Sequence, residues 1–174
     1  EKFNVFHEQF DNYQDIENVR IVRIKCGGDS FLRKELLWPH LNEWTDNIVK
    51  FFKQEGTFPD FVTGHYGDGG LSAALLKQKL HIPYSFTGHS LGAQKLEKLG
   101  ATVDTFDTIN KKYNFTERIE AERTSMKYAD IIFVSTKQEQ TNQYSHILYK
   151  DITDKLQDRF VIAPPGANTD VFSK

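Results

Sequence analysis

The chain has 174 residues, of which 39% are hydrophobic and 26% charged, with a formal net charge of −2. That length can bury a real core, and the charge offers none of the basic field on which nucleic-acid binding depends. The lone cysteine, Cys26, cannot close an internal disulfide and fits a reducing, cytoplasmic setting; no apolar run approaches the roughly 20 residues of a membrane span, and nothing at the start reads as a signal peptide.

The first residue is Glu1 and the single methionine is Met126, so the sequence reads as a piece of a longer chain whose N-terminal part is missing. Val19-Arg20-Ile21-Val22-Arg23-Ile24 is rich in β-branched residues and predicts the first strand. Cys26 to Leu37 reads as a loop with Gly27-Gly28 and the basic pair Arg33-Lys34. Trp38-Pro39 starts a helix in which Leu41, Trp44, Ile48, Val49 and Phe52 recur at helical spacing, with Gly56 as its stop. Trp38 and Trp44 are expected in the core.

Phe61-Val62-Thr63 predicts a second strand, followed by the turn Gly64-His65-Tyr66-Gly67-Asp68-Gly69-Gly70. Leu71 to Leu80 is a helix with an Ala-Leu-Leu core face. Tyr84 to Thr87 is the third strand and Leu91 to Leu99 the next helix. Residues 101 to 112 read as a polar surface insertion. Asn114, with Glu117 three residues on, predicts a capping box opening a helix to about Tyr128. Asp130 to Val134 is a strand, Ser135-Thr136-Lys137 opens another helix, and Arg159 to Ala163 is the last strand before Pro164-Pro165-Gly166.

This alternation predicts a doubly wound parallel α/β sheet in a single domain over residues 1–174. The strand-to-helix turns then share one edge, where ligands bind in such sheets. Gly88-His89-Ser90 follows the third strand, and His65 stands at the equivalent turn one strand earlier. Lys95 comes near the start of its helix, where backbone N–H groups and the dipole favour an anion. A ligand bearing a phosphate would suit that corner.

Each candidate also has an ordinary structural explanation. His89 can be a histidine bonded to a nearby carbonyl, Lys34 a loop lysine and Lys95 a solvated helix lysine. Arg118 can pair with Glu122 at i,i+4. Gly67, Gly69 and Gly70 can supply positive φ or close backbone approach. No metal-ligand spacing, Walker pattern or Gly-x-Gly-x-x-Gly occurs. The residues by themselves give an α/β domain with a polar, partly basic crevice.

Several segments carry a narrower signal. They are Lys34-Glu35-Leu36-Leu37-Trp38-Pro39-His40-Leu41, His65-Tyr66-Gly67-Asp68-Gly69-Gly70, Thr87-Gly88-His89-Ser90-Leu91-Gly92 and Lys95-Leu96-Glu97. Arg118-Ile119-Glu120-Ala121-Glu122, Ala129-Asp130-Ile131-Ile132, Ser135-Thr136-Lys137-Gln138-Glu139 and Pro164-Pro165-Gly166 continue the series. On these the sequence resembles the N-terminal, acceptor-side domain of the sucrose-phosphate synthase family, retaining glycosyltransferases of the GT-B fold.

The resemblance implies a Rossmann-like half of a two-domain enzyme. Its first strand and glycine-rich loop would lie before Glu1, and its donor domain beyond Lys174. It implies fructose 6-phosphate as acceptor, with Lys34, Lys95 and Arg118 contacting it and its phosphate. His89 would be the catalytic histidine facing the donor sugar, with His65, Tyr66, Gly88 and Ser90 as further substrate contacts. UDP-glucose would be the co-substrate and sucrose 6-phosphate the product, with retention. GDP-mannose as donor, a different acceptor such as free fructose, and a non-catalytic sugar-phosphate-binding module are the alternatives. No tightly bound cofactor is expected, Mg2+ is compatible but not indicated by sequence, and neither a nucleic-acid partner nor a membrane span is expected.

Overall fold

A computed structural model describes residues 8–13, 16–167 and 169. The chain divides into two units between Pro59 and Asp60. In the first, β1 (Phe10–Asn12) pairs antiparallel with β2 (Arg20–Val22), Phe10 standing opposite Val22. The predicted strand therefore forms, but in a two-stranded ribbon rather than in the parallel sheet. Its arginines explain why. A strand inside a parallel sheet is covered on both faces and has no room for Arg20 and Arg23. Here Arg20 Nη2 donates to Glu55 at 2.6 Å and Arg23 Nη2 to Asp11 at 2.9 Å.

Two 3-10 turns, Lys34–Leu36 and Trp38–His40, lead into α1 (Leu41–Glu55). Leu41 and Phe51 of that helix are buried, and Gly56 ends it at φ 71°, a left-handed value that costs glycine little. Trp38 and Trp44, expected in the core, are only half-buried; an indole is large and rarely hidden whole.

In the second unit β3 (Val62–His65), β4 (Tyr84–Thr87), β5 (Ile131–Val134) and β6 (Phe160–Ile162) form a parallel sheet in that order among the described residues. α2 (Tyr66–Leu80) joins β3 to β4, and α3 (Gly92–Lys98), α4 (Phe106–Tyr113) and α5 (Phe115–Tyr128) join β4 to β5. α6 (Lys137–Glu139) runs on as a π-helical turn, Gln140–Tyr144, and α7 (Ile147–Thr153) precedes β6. This is the expected Rossmann-like α/β arrangement, its described strands added in chain order as in one winding direction of such a sheet. The core unites Ala73 and Ala74 of α2, Phe86 of β4, Met126 of α5, Ile132 and Val134 of β5, and Tyr144 and Tyr149.

Two local expectations are corrected. Residues 101–112 are not a bare insertion, because α4 occupies the later part. Thr102 and Thr105 exchange side-chain bonds ahead of it, and Phe106, Ile109 and Tyr113 make a half-buried stripe diluted by Asp107, Lys111 and Lys112. Asn114 does not form a capping box. It adopts the left-handed conformation (φ 51°, ψ 49°) between α4 and α5, and its side chain makes no cap bond to α5. Asn110 caps instead, its Oδ1 accepting from Thr116 N–H at 2.8 Å. At α6 a reciprocal cap does form: Thr136 Oγ1 accepts from Glu139 N–H at 3.0 Å, and Glu139 Oε2 from Ser135 N–H at 2.7 Å.

Candidate active site

The carboxyl ends of β3 and β4 stand side by side, His65 in register with Thr87. Just beyond each strand the chain turns through the left-handed region at a residue other than glycine, Tyr66 at φ 59° and His89 at φ 55°. Such a backbone costs about 1–3 kcal/mol and clusters at functional sites. Glycine is not what makes these turns. α2 begins at Tyr66, so Gly67, Asp68, Gly69 and Gly70 form its first turn and none of the three glycines has positive φ. Their service is close packing: a Cβ at Gly70 would lie 2.5 Å from the Phe86 ring and from Ser125 Oγ.

At the end of β4, Ser90 N–H donates to Gly88 O at 2.6 Å, closing a three-residue turn centred on His89. With positive φ at its centre this is the strained form of the γ-turn. The turn sets the His89 ring against its neighbours. His89 Nε2 lies 2.8 Å from His65 Nδ1, and the Tyr66 ring centroid is 4.8 Å from that of His89. One nitrogen of the pair must donate and the other accept. Burial, and then the neighbouring His89, holds His65 below the usual imidazole range.

Buried side chains from three other elements hold this turn from below. Gly88 N–H donates to the Tyr144 hydroxyl at 3.0 Å. Gly92 N–H donates to both oxygens of Glu122, at 3.0 and 2.9 Å, and Ala93 N–H to the Tyr149 hydroxyl at 3.1 Å. Tyr149 in turn donates to Glu122. Arg118 Nε donates to Glu122 Oε1 at 2.9 Å and its Nη2 to the Ser90 carbonyl. Glu122 is fully buried. Burial raises the Tyr144 and Tyr149 phenols well above their ordinary value, so both stay neutral.

The first N–H groups of α3 are thus taken. The sequence offers them to a ligand phosphate; the fold gives them to Glu122 and Tyr149. Arg118 is likewise more than a surface i,i+4 pair, since its side chain is 14% exposed and bridges a buried carboxylate to the His89 turn. Its Nη1 is the nitrogen left out of these bonds.

His65, Tyr66, Gly88, His89, Ser90 and Arg118 are therefore brought together. Lys95 lies within α3 and is half-buried. Lys34 belongs to the first unit, in the turn Lys34–Leu36, with its side chain 74% exposed and Nζ 3.9 Å from Glu35. Sequence reasoning missed Tyr144 and Tyr149 and saw Glu122 only as a partner of Arg118. Glu122 had a readable signal, a carboxylate on the helix face that also carries Ala121, Ser125 and Met126, where a charge needs an internal partner. The tyrosines had none, because their partners are backbone groups 56 residues away. Among the described residues no group of three His, Cys, Asp or Glu is placed to hold a metal ion, and no helix is long and apolar enough to cross a membrane.

Residues 5–174 match the family model of the sucrose synthase first GT-B domain. Over 171 residues the chain is 52% identical to a probable sucrose-phosphate synthase of Thermosipho melanesiensis, covering 98% of this chain and 39% of that protein. Over 132 residues it is 36% identical to the mannosylfructose-phosphate synthase of Agrobacterium fabrum, covering 75% of this chain and 29% of that one. The fold superposes on a sucrose-phosphate synthase from Thermosynechococcus elongatus with a TM-score of 0.72 at 18% identity, over 94% of this chain and 36% of that chain. The chain spans 39% or less of the length of these relatives.

Proposed function

The chain belongs to the family of sucrose synthase first GT-B domains, and from that premise we propose that it is the acceptor-side domain of a hexosyltransferase. The reaction moves glucose from UDP-glucose to fructose 6-phosphate, giving sucrose 6-phosphate with retention at the anomeric carbon. A second domain, supplied by the longer protein, holds the nucleotide sugar and the leaving diphosphate. The enzyme acts in the cytoplasm.

The observation that carries this reading is His89, held in a strained turn at the carboxyl edge of β4 with its ring 2.8 Å from His65. A strained, tightly held polar residue at that edge serves a ligand better than it serves the fold. In this reading His89 meets the donor sugar. His65, Tyr66, Gly88 and Ser90 line the site beside it. Lys34, Lys95 and Arg118 take the acceptor, whose dianionic phosphate favours charge-assisted bonds. In this reading the chain supplies no nucleophile, and its contribution is orientation, exclusion of water and electrostatic stabilisation.

The likeness to a mannosylfructose-phosphate synthase favours one second reading. The same acceptor domain would then serve GDP-mannose, with the donor chosen elsewhere in the protein. A product assay on the full-length enzyme separates the two. UDP-glucose and GDP-mannose are each offered with fructose 6-phosphate and with free fructose, and the disaccharide is identified. Phosphorylated sucrose from UDP-glucose supports the proposal, and turnover with GDP-mannose alone replaces the donor. Binding of fructose 6-phosphate without any turnover would leave a sugar-phosphate-binding module.

A further inference from the structure

We propose that Tyr144 and Glu122 are positioning residues for His89, clamping the backbone on both sides of it so that its imidazole keeps one orientation. The inference rests on reading His89 as the donor-facing histidine. A γ-turn with positive φ at a histidine does not hold itself. Its only internal bond is that from Ser90 N–H to Gly88 O. The remaining restraint comes from outside, with Tyr144 on the Gly88 side, Glu122 on the Gly92 side, and Arg118 carrying Glu122 to the Ser90 carbonyl.

The packing around the clamp is tight. Tyr144 is 1% exposed, and Glu122 and Tyr149 are 0% exposed. A Cβ at Gly88 would stand 2.8 Å from the Tyr144 hydroxyl, and one at Gly92 3.1 Å from both Arg118 and Glu122. Those glycines let the side chains close on the backbone. Tyr144 itself ends the π-helical turn Gln140–Tyr144, an uncommon conformation that often marks functional sites. Its extra residue per turn changes the register with which Tyr144 leaves the helix, and its hydroxyl meets Gly88 N–H. A histidine misplaced by about 1 Å can lose roughly 10²-fold in rate without weaker substrate binding.

Tyr144→Phe is the sharpest test on the full-length enzyme. It removes one hydroxyl and keeps the ring, which packs edge-on to Phe160 at 5.2 Å. With UDP-glucose and fructose 6-phosphate, kcat should fall by about tenfold to 10²-fold while KM for fructose 6-phosphate is unchanged. In nitrogen-15 spectra of labelled histidine, the shared-proton signature of His65 and His89 should be lost, with cooperative unfolding retained. A folded Tyr144→Phe protein with wild-type kcat and wild-type histidine signals overturns the proposal. So does a loss of rate matched by lost cooperativity, which marks a merely structural role. Glu122→Gln should behave alike; if it does not fold, Tyr144→Phe decides alone. If the wild-type enzyme transfers no hexose, the functional reading fails, and the histidine spectra still decide whether the clamp orients His89.

Discussion

His65 Nδ1 and His89 Nε2 lie 2.8 Å apart across the ends of two adjacent parallel strands. A single proton joins them, so the pair cannot be doubly protonated and stay bonded. Burial and the neighbouring His89 hold His65 below the ordinary imidazole value. Near that value the unfolded chain binds more protons than the folded one, so stability rises with pH there. The contribution is present above about pH 6.5 and is lost as the pH falls below it towards the folded pKa. Urea midpoints should therefore drop between about pH 7 and pH 5, and His65→Gln should drop less over the same interval. Equal slopes for the two proteins would count against a shared proton.

Two neighbouring glycines of α2 should respond in opposite directions to the same change. A Cβ at Gly70 meets the Phe86 ring and Ser125 Oγ at 2.5 Å, and neither an aromatic ring of the core nor a helix neighbour can give way easily. Gly70→Ala should destabilise by about 1–3 kcal/mol. A Cβ at Gly69 meets only Gly64 backbone atoms, at 3.9 and 4.0 Å. Gly69→Ala should stabilise by about 0.5–1 kcal/mol, because alanine loses less entropy in a helix. Denaturant unfolding of the two variants checks both signs at once.

That contrast shows where sequence reading ends. The glycine run reads as a loop because each glycine is a local breaker, yet Gly70 matters through atoms on β4 and α5 that no spacing reveals. Gly56 was legible because a helix stop needs only its own φ. The strand ends bearing His65 and His89 were legible because alternating strands and helices bring such turns to one edge. The destination of the α3 N–H groups was not. It depends on Glu122 and Tyr149, contributed by helices 30 and 56 residues further along. Arg20 and Arg23 carried a warning that β2 belongs in no buried sheet, and its β-branched residues outweighed it.

Asp130 ties the start of β4 to α2. Its Oδ2 accepts from Tyr84 N–H at 2.9 Å, and the Lys77 ammonium donates to both carboxylate oxygens at 2.7 Å and to the Tyr128 carbonyl at 3.0 Å. Burial pushes the carboxyl up, but Lys77 and the Tyr84 N–H outweigh it and hold the group below the usual range. The linked stability is present above the ordinary carboxylate value near 4 and is lost as the pH falls through the folded one. Asp130→Asn should cost about 1 kcal/mol at neutral pH, the side chain being partly solvated. The difference from wild type should shrink on acidification, read by unfolding midpoints across the acid range.

Arg118 and Glu122 should show that a buried charge is dangerous mainly when left alone. Glu122 accepts from Arg118 Nε, from Gly92 N–H and from Tyr149, and it has no exposure to water. Arg118→Met removes its only cationic partner among these and should cost about 3–5 kcal/mol. Arg118→Lys should not rescue it, because one ammonium cannot match the planar fork that spans Glu122 and the Ser90 carbonyl. Adding Glu122→Gln to Arg118→Met should recover most of the loss. The amide is neutral, so the unpaired charge is gone, and its carbonyl oxygen still accepts from Gly92 N–H. Unfolding free energies of the single and double variants form the cycle. A double variant as unstable as the sum of its parts would place the loss in hydrogen-bond geometry instead of in the buried charge.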